Sequence, residues 1–282
     1  MPELPEVEVV RAGLQKLIMG TKIGAVRIHH KRAVRQNDGD LAHQLEGATI
    51  LRVARRGKYM WLELDRSFVL MIHLGMSGQI RVNELPSGHP HVRVDWNVIR
   101  MGEPDSYFEF VDQRTFGGMR ISDQDQNGEP SVITHIAKDP FDPQFDVHHF
   151  ADSLVKRSTQ VKRALLDQNL ISGIGNIYAD ECLWRVGLDG TTPCELLDRS
   201  AALQIVTAVT KVMSEALVAG GTSFDSLYVN VNGESGYFSR SLSVYGREGE
   251  PCERCGNPIT RSKFMNRSSF HCPTCQPPWL LP

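Results

Sequence analysis

Across residues 6–19 the apolar side chains Val7, Val10, Leu14, Leu17 and Ile18 recur every three or four positions, which lines them along one face of a helix, and Gly20 ends the segment. From residue 21 to about residue 123 the period drops to two. The change is plainest where Val92, Val94, Trp96 and Val98 alternate with Arg93, Asp95 and Asn97. With the apolar run 68–74 and the aromatic stretch 107–111, this predicts an antiparallel sandwich or barrel.

The polar stretch 122–130, followed by Asp139-Pro140 and Asp142-Pro143, carries the breakers of a linker region. Helical patterns resume over 147–157, 159–167, 176–186 and 195–219. Between the second and third lies the run NLISGIGN, residues 169–176, whose two glycines allow a tight double turn ending with Asn176 at a helix start. Residues 220–249 are rich in Gly, Asn and Ser, and irregular sequence of that length is a functional loop or a disordered one. The closing PPWLLP, residues 277–282, reads as a tail, and the chain has no internal repeat.

A length of 282 residues favours two domains, each able to bury its own core. The start MPELPEVEVV has acids where a leader needs basic residues, and no apolar run is expected to reach the roughly 20 residues that span a bilayer. The expectation is a cytoplasmic protein with no membrane partner. Six cysteines are present, but four fall in the last thirty-one residues as Cys252-x2-Cys255 and Cys272-x2-Cys275. Two short loops with two thiolates each complete a tetrahedral shell, so one structural zinc is expected; four thiolates leave no open position for catalysis. Cys182 and Cys194 are expected to be reduced bystanders.

Net charge complicates a nucleic-acid reading, because −2 is not the basic balance of a simple DNA binder. Any such site must come from asymmetry. Arg52, Arg55, Arg56 and Lys58 cluster without an acid among them, and Arg27, Lys31, Arg32 and Arg35 form a second group. Either run also fits an ordinary solvated face. In the cysteine module Arg254, Arg261, Lys263 and Arg267 face one acid, Glu253, giving +3, which a zinc tetrathiolate at about −2 nearly cancels. Bulk attraction is therefore small, and Arg267, near the expected hairpin tip, is the candidate for a single placed contact.

Met1-Pro2-Glu3 gains meaning through processing, since a small second residue permits removal of the initiator methionine. Proline then carries a free secondary amine titrating near about 7.7–8.0, partly unprotonated at neutral pH and able to attack an electrophilic carbon. Glu3 beside it could move protons. A retained Met1 would acylate the Pro2 nitrogen and remove the nucleophile.

These motifs occur together with Pro2-Glu3-Leu4-Pro5-Glu6-Val7, Arg56-Gly57-Lys58-Tyr59, His73-Leu74-Gly75-Met76-Ser77-Gly78, Arg114-Thr115-Phe116-Gly117 and Gly173-Ile174-Gly175-Asn176-Ile177-Tyr178. In order and spacing, from residue 2 to 276, the chain resembles the formamidopyrimidine-DNA glycosylases, and Leu4 favours that branch over the endonuclease VIII branch. The resemblance implies an α+β architecture: an N-terminal helix plus β-sandwich catalytic domain (2–130), a helix-two-turn-helix domain (131–249) and a zinc hairpin (250–276). It implies a monomer that acts on damaged double-stranded DNA in base excision repair, removing oxidised purines. Pro2 would form an iminium with the sugar, Glu3 would donate the proton, Lys58 would serve β-elimination, and Arg267 would serve δ-elimination and hold phosphate. Met76, Arg114 and Phe116 match the trio that fills the void left by the everted nucleotide; Asn176 and Lys162 match phosphate contacts; His89 and Arg157 align with DNA-contacting positions. Residues 221–237 correspond to the loop that closes over the everted base.

The reader segment departs from the family's commoner Asp-Pro-Arg-Arg-Phe-Gly, having Asp112-Gln113-Arg114-Thr115-Phe116-Gly117 and so one cation fewer. Three other readings compete: a pyrimidine-preferring enzyme of the endonuclease VIII type, a non-catalytic damage-binding protein, and a zinc-ribbon transcription factor. Intact Pro2, Glu3 and Lys58 argue against the second, and the N-terminal motif is unexplained by the third.

Overall fold

A computed structural model describes residues 2–221 and 241–279. The chain forms two compact units, one of residues 2–135 with 219–221 and the other of residues 136–218 with 241–279. The division falls at His135/Ile136, five residues beyond the expected linker boundary, and the cysteine module clusters with the helical unit.

The first unit opens with helix α1, Leu4–Ile18. It starts two residues earlier than the apolar period indicates, because Pro5 suits a first turn, whose amide needs no partner, and the Glu6 carboxylate accepts the Glu3 N–H at 2.8 Å. Eight strands follow: β1 (Lys22–Ile28), β2 (Ile50–Arg56), β3 (Tyr59–Leu64), β4 (Phe68–His73), β5 (Gly78–Asn83), β6 (Val92–Ile99), β7 (Ser106–Asp112) and β8 (Gly118–Asp123). The short helix α2, Leu41–Leu45, lies between β1 and β2. The strands form two antiparallel sheets ordered β1-β6-β7-β5 and β2-β3-β4-β8. Inward residues of both, among them Ile80, Trp96, Phe110, Val53, Leu62 and Ile72, share one core with Val7, Leu14 and Ile18 of α1. The alternation read from 92–98 thus gives a sandwich, with Trp96 stacked on Phe108 at a centroid distance of 3.6 Å.

The second unit contains α3 (Val147–Leu154), α4 (Val161–Leu165), α5 (Asn176–Val186) and α6 (Arg199–Val218), then the hairpin β9 (Thr260–Phe264) and β10 (Arg267–His271). The α5 bounds match the sequence pattern; the other helices are shorter. The 195–219 pattern divides because Asp198 accepts the Ala201 N–H at 2.7 Å and starts a new helix, leaving a separate 3-10 turn at Cys194–Leu196. No apolar run of span length was expected, yet α6 has 20 residues and contains an 18-residue window of mean hydropathy 1.4, enough by length and composition to cross a bilayer. Its apolar side chains Ala202, Ile205, Val209 and Val212 are buried in this unit, and it packs on α3 and α5.

Candidate active site

The N-terminal pair is held by the start of α1. Pro2 is buried and Glu3 is 2 % exposed, with the Glu3 amide fixed by Glu6. Lys58 sits in the two-residue turn joining β2 and β3, where Arg56 pairs with Tyr59 and Gly57 has φ +56°. A side chain at Gly57 would disfavour that conformation, which a tight hairpin with a positive φ at its first central residue requires. Lys58 is only 9 % exposed. Beside it, His73 Nδ1 accepts the Gly75 N–H at 3.2 Å, and the His73 ring lies 5.2 Å from Tyr59. Burial, and then the Lys58 charge, push the His73 imidazole below its ordinary value, favouring the neutral ring.

The first basic cluster proves largely neutralised. Arg52 pairs with Glu63 at 2.5 Å, Arg55 with Glu8 at 2.9 Å, and Arg56 with Glu129, so its arginines brace the β2–β3 hairpin rather than form an open cationic face. Arg27 of the second cluster is likewise engaged by Asp95.

The loops 74–78 and 113–117 are packed backbone to backbone. A Cβ on Gly75, whose φ is +63°, would lie 2.4 Å from the Gly117 nitrogen, and one on Gly117 would lie 2.5 Å from the His73 oxygen. Asp112, fully buried, ties the pair: it accepts the Ser77 hydroxyl at 2.5 Å, the Arg114 N–H at 3.2 Å and the Gly117 N–H at 2.8 Å. On this rigid base Met76 is 41 % and Phe116 44 % exposed, and the Arg114 guanidinium lies 4.9 Å from the Phe116 ring centroid. Large apolar side chains left in water on a braced loop are placed for a partner rather than for the core. Thr115, at the position where a cation is missing, points inward at 6 % exposure with φ +51°. His89 reaches the same loops indirectly: its Nδ1 accepts the His91 N–H at 3.2 Å, while Arg93 lies 3.3 Å from His91 and donates to the Asp112 and Gln113 carbonyls.

In the second unit Gln168 splices the double turn, accepting the Gly173 N–H at 3.0 Å and donating to the Ile174 carbonyl at 2.9 Å. Helix α5 then docks the zinc-type hairpin. Asn176 Nδ2 donates to the Ser268 carbonyl at 2.7 Å, and Asp180 accepts the Ser269 hydroxyl at 3.0 Å and the Phe270 N–H at 2.9 Å. Lys162, expected at a phosphate, is placed inside this unit. It has no exposed surface, and its ammonium lies 2.7 Å from Asp180 and 4.9 Å from the Phe264 ring, so it is placed as a strut under the hairpin and not as an open phosphate contact. Arg157 is half-buried and paired with Asp167 at 2.8 Å. Arg267 is exposed at the first position of β10, beside the Met265-Asn266 turn, as the spacing indicates. Asp180 and Glu181, whose carboxylate caps the amides of Ser243, Val244 and Tyr245 at 2.9 Å, are structural residues the sequence reading missed.

Cys252, Cys255, Cys272 and Cys275 bring their sulfurs within 4.8 Å of one another, with Sγ···Sγ separations of 3.9 and 3.4 Å. Zinc–sulfur bonds of about 2.3 Å at tetrahedral angles need sulfurs about 3.8 Å apart, so the four residues fit the ion. The Trp184 indole N–H donates to Cys252 at 3.4 Å, and Arg254 lies 3.9 Å over the same indole and donates to the Trp184 and Arg185 carbonyls, fastening the module to the end of α5.

Comparison with known proteins agrees with this geometry. Residues 1–119 match the formamidopyrimidine-DNA glycosylase N-terminal domain, residues 136–227 the H2TH domain of the same enzymes, and residues 249–278 the zinc finger found in FPG and IleRS. The formamidopyrimidine-DNA glycosylase of Thermobifida fusca is 53 % identical over 289 residues, covering 98 % of each chain. The chain belongs to the formamidopyrimidine-DNA glycosylase family. The Mycobacterium avium member is 51 % identical, covering 98 % of this chain and 99 % of its own. Lactococcus lactis Fpg in complex with abasic-site DNA superposes with a TM-score of 0.87 at 32 % identity, covering 97 % of this chain and 99 % of that one. The same protein bound to Fapy-dG DNA gives 0.87 at 32 % identity, covering 98 % and 100 %. The family's zinc finger and the four clustered thiols assign one structural zinc ion.

Proposed function

We propose that this chain excises oxidised purines, 8-oxoguanine and formamidopyrimidines, from duplex DNA and then cleaves the abasic site, acting as a monomer in the bacterial cytoplasm. The observation that carries the reading is the reader and wedge group: Met76, Arg114 and Phe116 stand exposed together on two loops locked by Asp112. Everting a nucleotide costs a few kcal/mol, and side chains that fill the vacancy offset part of that cost. The purine preference is supported by the relatives' name and by the Fapy-dG DNA held by the Lactococcus lactis neighbour.

After removal of Met1, the Pro2 nitrogen attacks C1′ of the damaged nucleotide. A C–N bond forms, the glycosidic bond breaks with its electron pair leaving on the base, and the Pro2 N–H proton passes to that base. Glu3 supplies the proton that opens the sugar ring to the iminium. Lys58, carried on the tight β2–β3 turn, takes the proton in β-elimination as its neutral amine. Arg267 contacts phosphate and assists δ-elimination, and the zinc, held by Cys252, Cys255, Cys272 and Cys275, keeps the hairpin that carries it folded. Asn176 and the α5 start hold a backbone phosphate, with His89 and Arg157 as outlying DNA contacts. These assignments divide the chain into a catalytic region (2–130), a helix-two-turn-helix region (131–249) and a zinc hairpin (250–276). Residues 222–237 of the expected closing loop lie outside the described residues.

The test is excision measured on matched duplexes carrying 8-oxoguanine, formamidopyrimidine or an oxidised pyrimidine. Preferential release of the two purine lesions is expected; preferential release of the pyrimidine would replace this reading with the endonuclease VIII type, and binding without release would leave a damage-binding protein.

A further inference from the structure

Most arginines of this acidic chain are engaged by carboxylates, as the pairs Arg11–Glu8, Arg27–Asp95, Arg52–Glu63, Arg66–Asp65 and Arg157–Asp167 show. Arg32 and Arg35 are exceptions. Both are exposed, and among the described residues neither makes an ion pair or a side-chain hydrogen bond. Arg120 has no acid either: its Nη1 donates to the Gln36 amide oxygen at 3.2 Å, and its buried Nε has no acceptor among the described residues.

These three arginines line one cavity of about 370 Å³, with Met119 and Ile133 in its apolar floor and Phe116 in its wall, and no carboxylate lines it among the described residues. The arrangement is built rather than incidental. A 3-10 turn, Lys31–Val34, lies against the edge of β8, where a Cβ on Gly118 would come 2.7 Å from the Ala33 carbonyl. Asn37 bolts the turn to that strand, donating to the Met119 carbonyl at 2.9 Å and accepting the Ile121 N–H at 2.7 Å. Cations that repel one another thus line one cavity with no carboxylate counter-ion among the described residues, directly after the loop that carries the wedge.

We propose that Arg32, Arg35 and Arg120 form a clamp for the DNA sugar-phosphate backbone beside the kink made by Phe116, a contact separate from the reader, the α5 start and the zinc hairpin. The proposal rests on the DNA-repair reading above. A guanidinium without a carboxylate retains its full donor fork for a phosphate oxygen, and bending the duplex at the wedge brings backbone phosphates toward the loops that flank it. The contact reads charge and position, so it carries no base preference.

The experiment measures the affinity of the full-length protein for lesion-bearing and undamaged duplexes over a range of salt concentrations. Each phosphate neutralised adds about 0.9 to the log–log slope, so Arg32→Ala/Arg35→Ala should lower its magnitude by about 0.9 to 1.8 on both duplexes. Single-turnover excision at saturating enzyme should stay at the wild-type rate, and Arg35→Lys should keep the slope. Arg52→Ala/Arg66→Ala, which removes two exposed arginines already paired with Glu63 and Asp65, is the charge-matched control and should leave the slope in place. An unchanged slope in Arg32→Ala/Arg35→Ala, or a change confined to the lesion duplex, would overturn the clamp while leaving the repair reading intact. Failure of the wild-type chain to bind or cut lesion DNA would instead overturn the repair reading.

Discussion

Arg114 and Phe116 illustrate how two neighbouring residues with similar exposure differ in what they can sense. Guanidinium donors distinguish the hydrogen-bonding edges of bases, whereas a phenyl ring presents only area and shape. Arg114→Ala should therefore flatten the dependence of excision on the opposite base, a loss of about 1–3 kcal/mol of discrimination. Phe116→Ala should slow excision by a similar factor for every opposite base. Rates on four duplexes that differ only in that base separate the two; an unaltered profile in Arg114→Ala would remove its reader role. His73 adds a pH dependence. Burial first, and Lys58 second, hold its folded pKa below the ordinary 6.5, so as pH falls the unfolded chain takes up this proton before the folded one. Its contribution to stability is intact above 6.5 and is lost as pH falls below that value toward the folded pKa. Urea unfolding on either side of pH 6.5 should show a shallower acid loss in His73→Gln than in wild type.

At the scale of elements, the proposed wedge depends on the backbone contact beneath it. Gly75→Ala places a methyl group 2.4 Å from the Gly117 nitrogen at a φ of +63°, and backbone atoms cannot move aside as a flexible side chain can. The loops should separate at a local cost of about 1–3 kcal/mol, slowing base release while cleavage of a pre-formed abasic site suffers less. Equal losses in both assays would assign Gly75 to general folding. In the second unit the hairpin has a small core, Ile259 and Phe270 with Trp184 and Val244, and depends on its metal and on α5. Cys272→Ser should release zinc to a chromogenic chelator and weaken DNA binding tenfold or more, with the melting of the first unit unchanged. Retained zinc with wild-type affinity would contradict the structural-zinc role.

At the scale of the whole molecule, the parts legible in the sequence were those set by local period and ligand spacing. The two-residue alternation gave the sandwich, the Asn176–Val186 pattern gave α5 with its bounds, and the cysteine spacing gave the metal shell. Long-range charge pairing was not legible. Arg52, Arg55 and Arg56 look like a cationic patch because their partners Glu63, Glu8 and Glu129 are remote in sequence, while Arg32 and Arg35, in a run of the same appearance, have none among the described residues. The Lys162 pairing was not legible for the same reason: its sequence neighbours do not reveal that Asp180 lies beneath the hairpin in a buried site. The residues proposed for the reaction, Pro2, Glu3 and Lys58, are ordinary residue types whose meaning came from the family pattern, and their burial at the α1 start and in the β2–β3 turn is what the structure adds.

The account turns on a free Pro2 amine, since an amide nitrogen shares its lone pair with the carbonyl and cannot form an iminium. The most direct test is borohydride trapping on an 8-oxoguanine duplex with peptide mapping of the crosslink, for the processed chain and for one with a glycine fused before Pro2. The processed chain should give a covalent complex that maps to Pro2, and the fused chain should bind the lesion duplex but give no trapped species and little base release. Trapping of the fused chain at the wild-type rate, or a crosslink that maps to Lys58, would contradict the central claim.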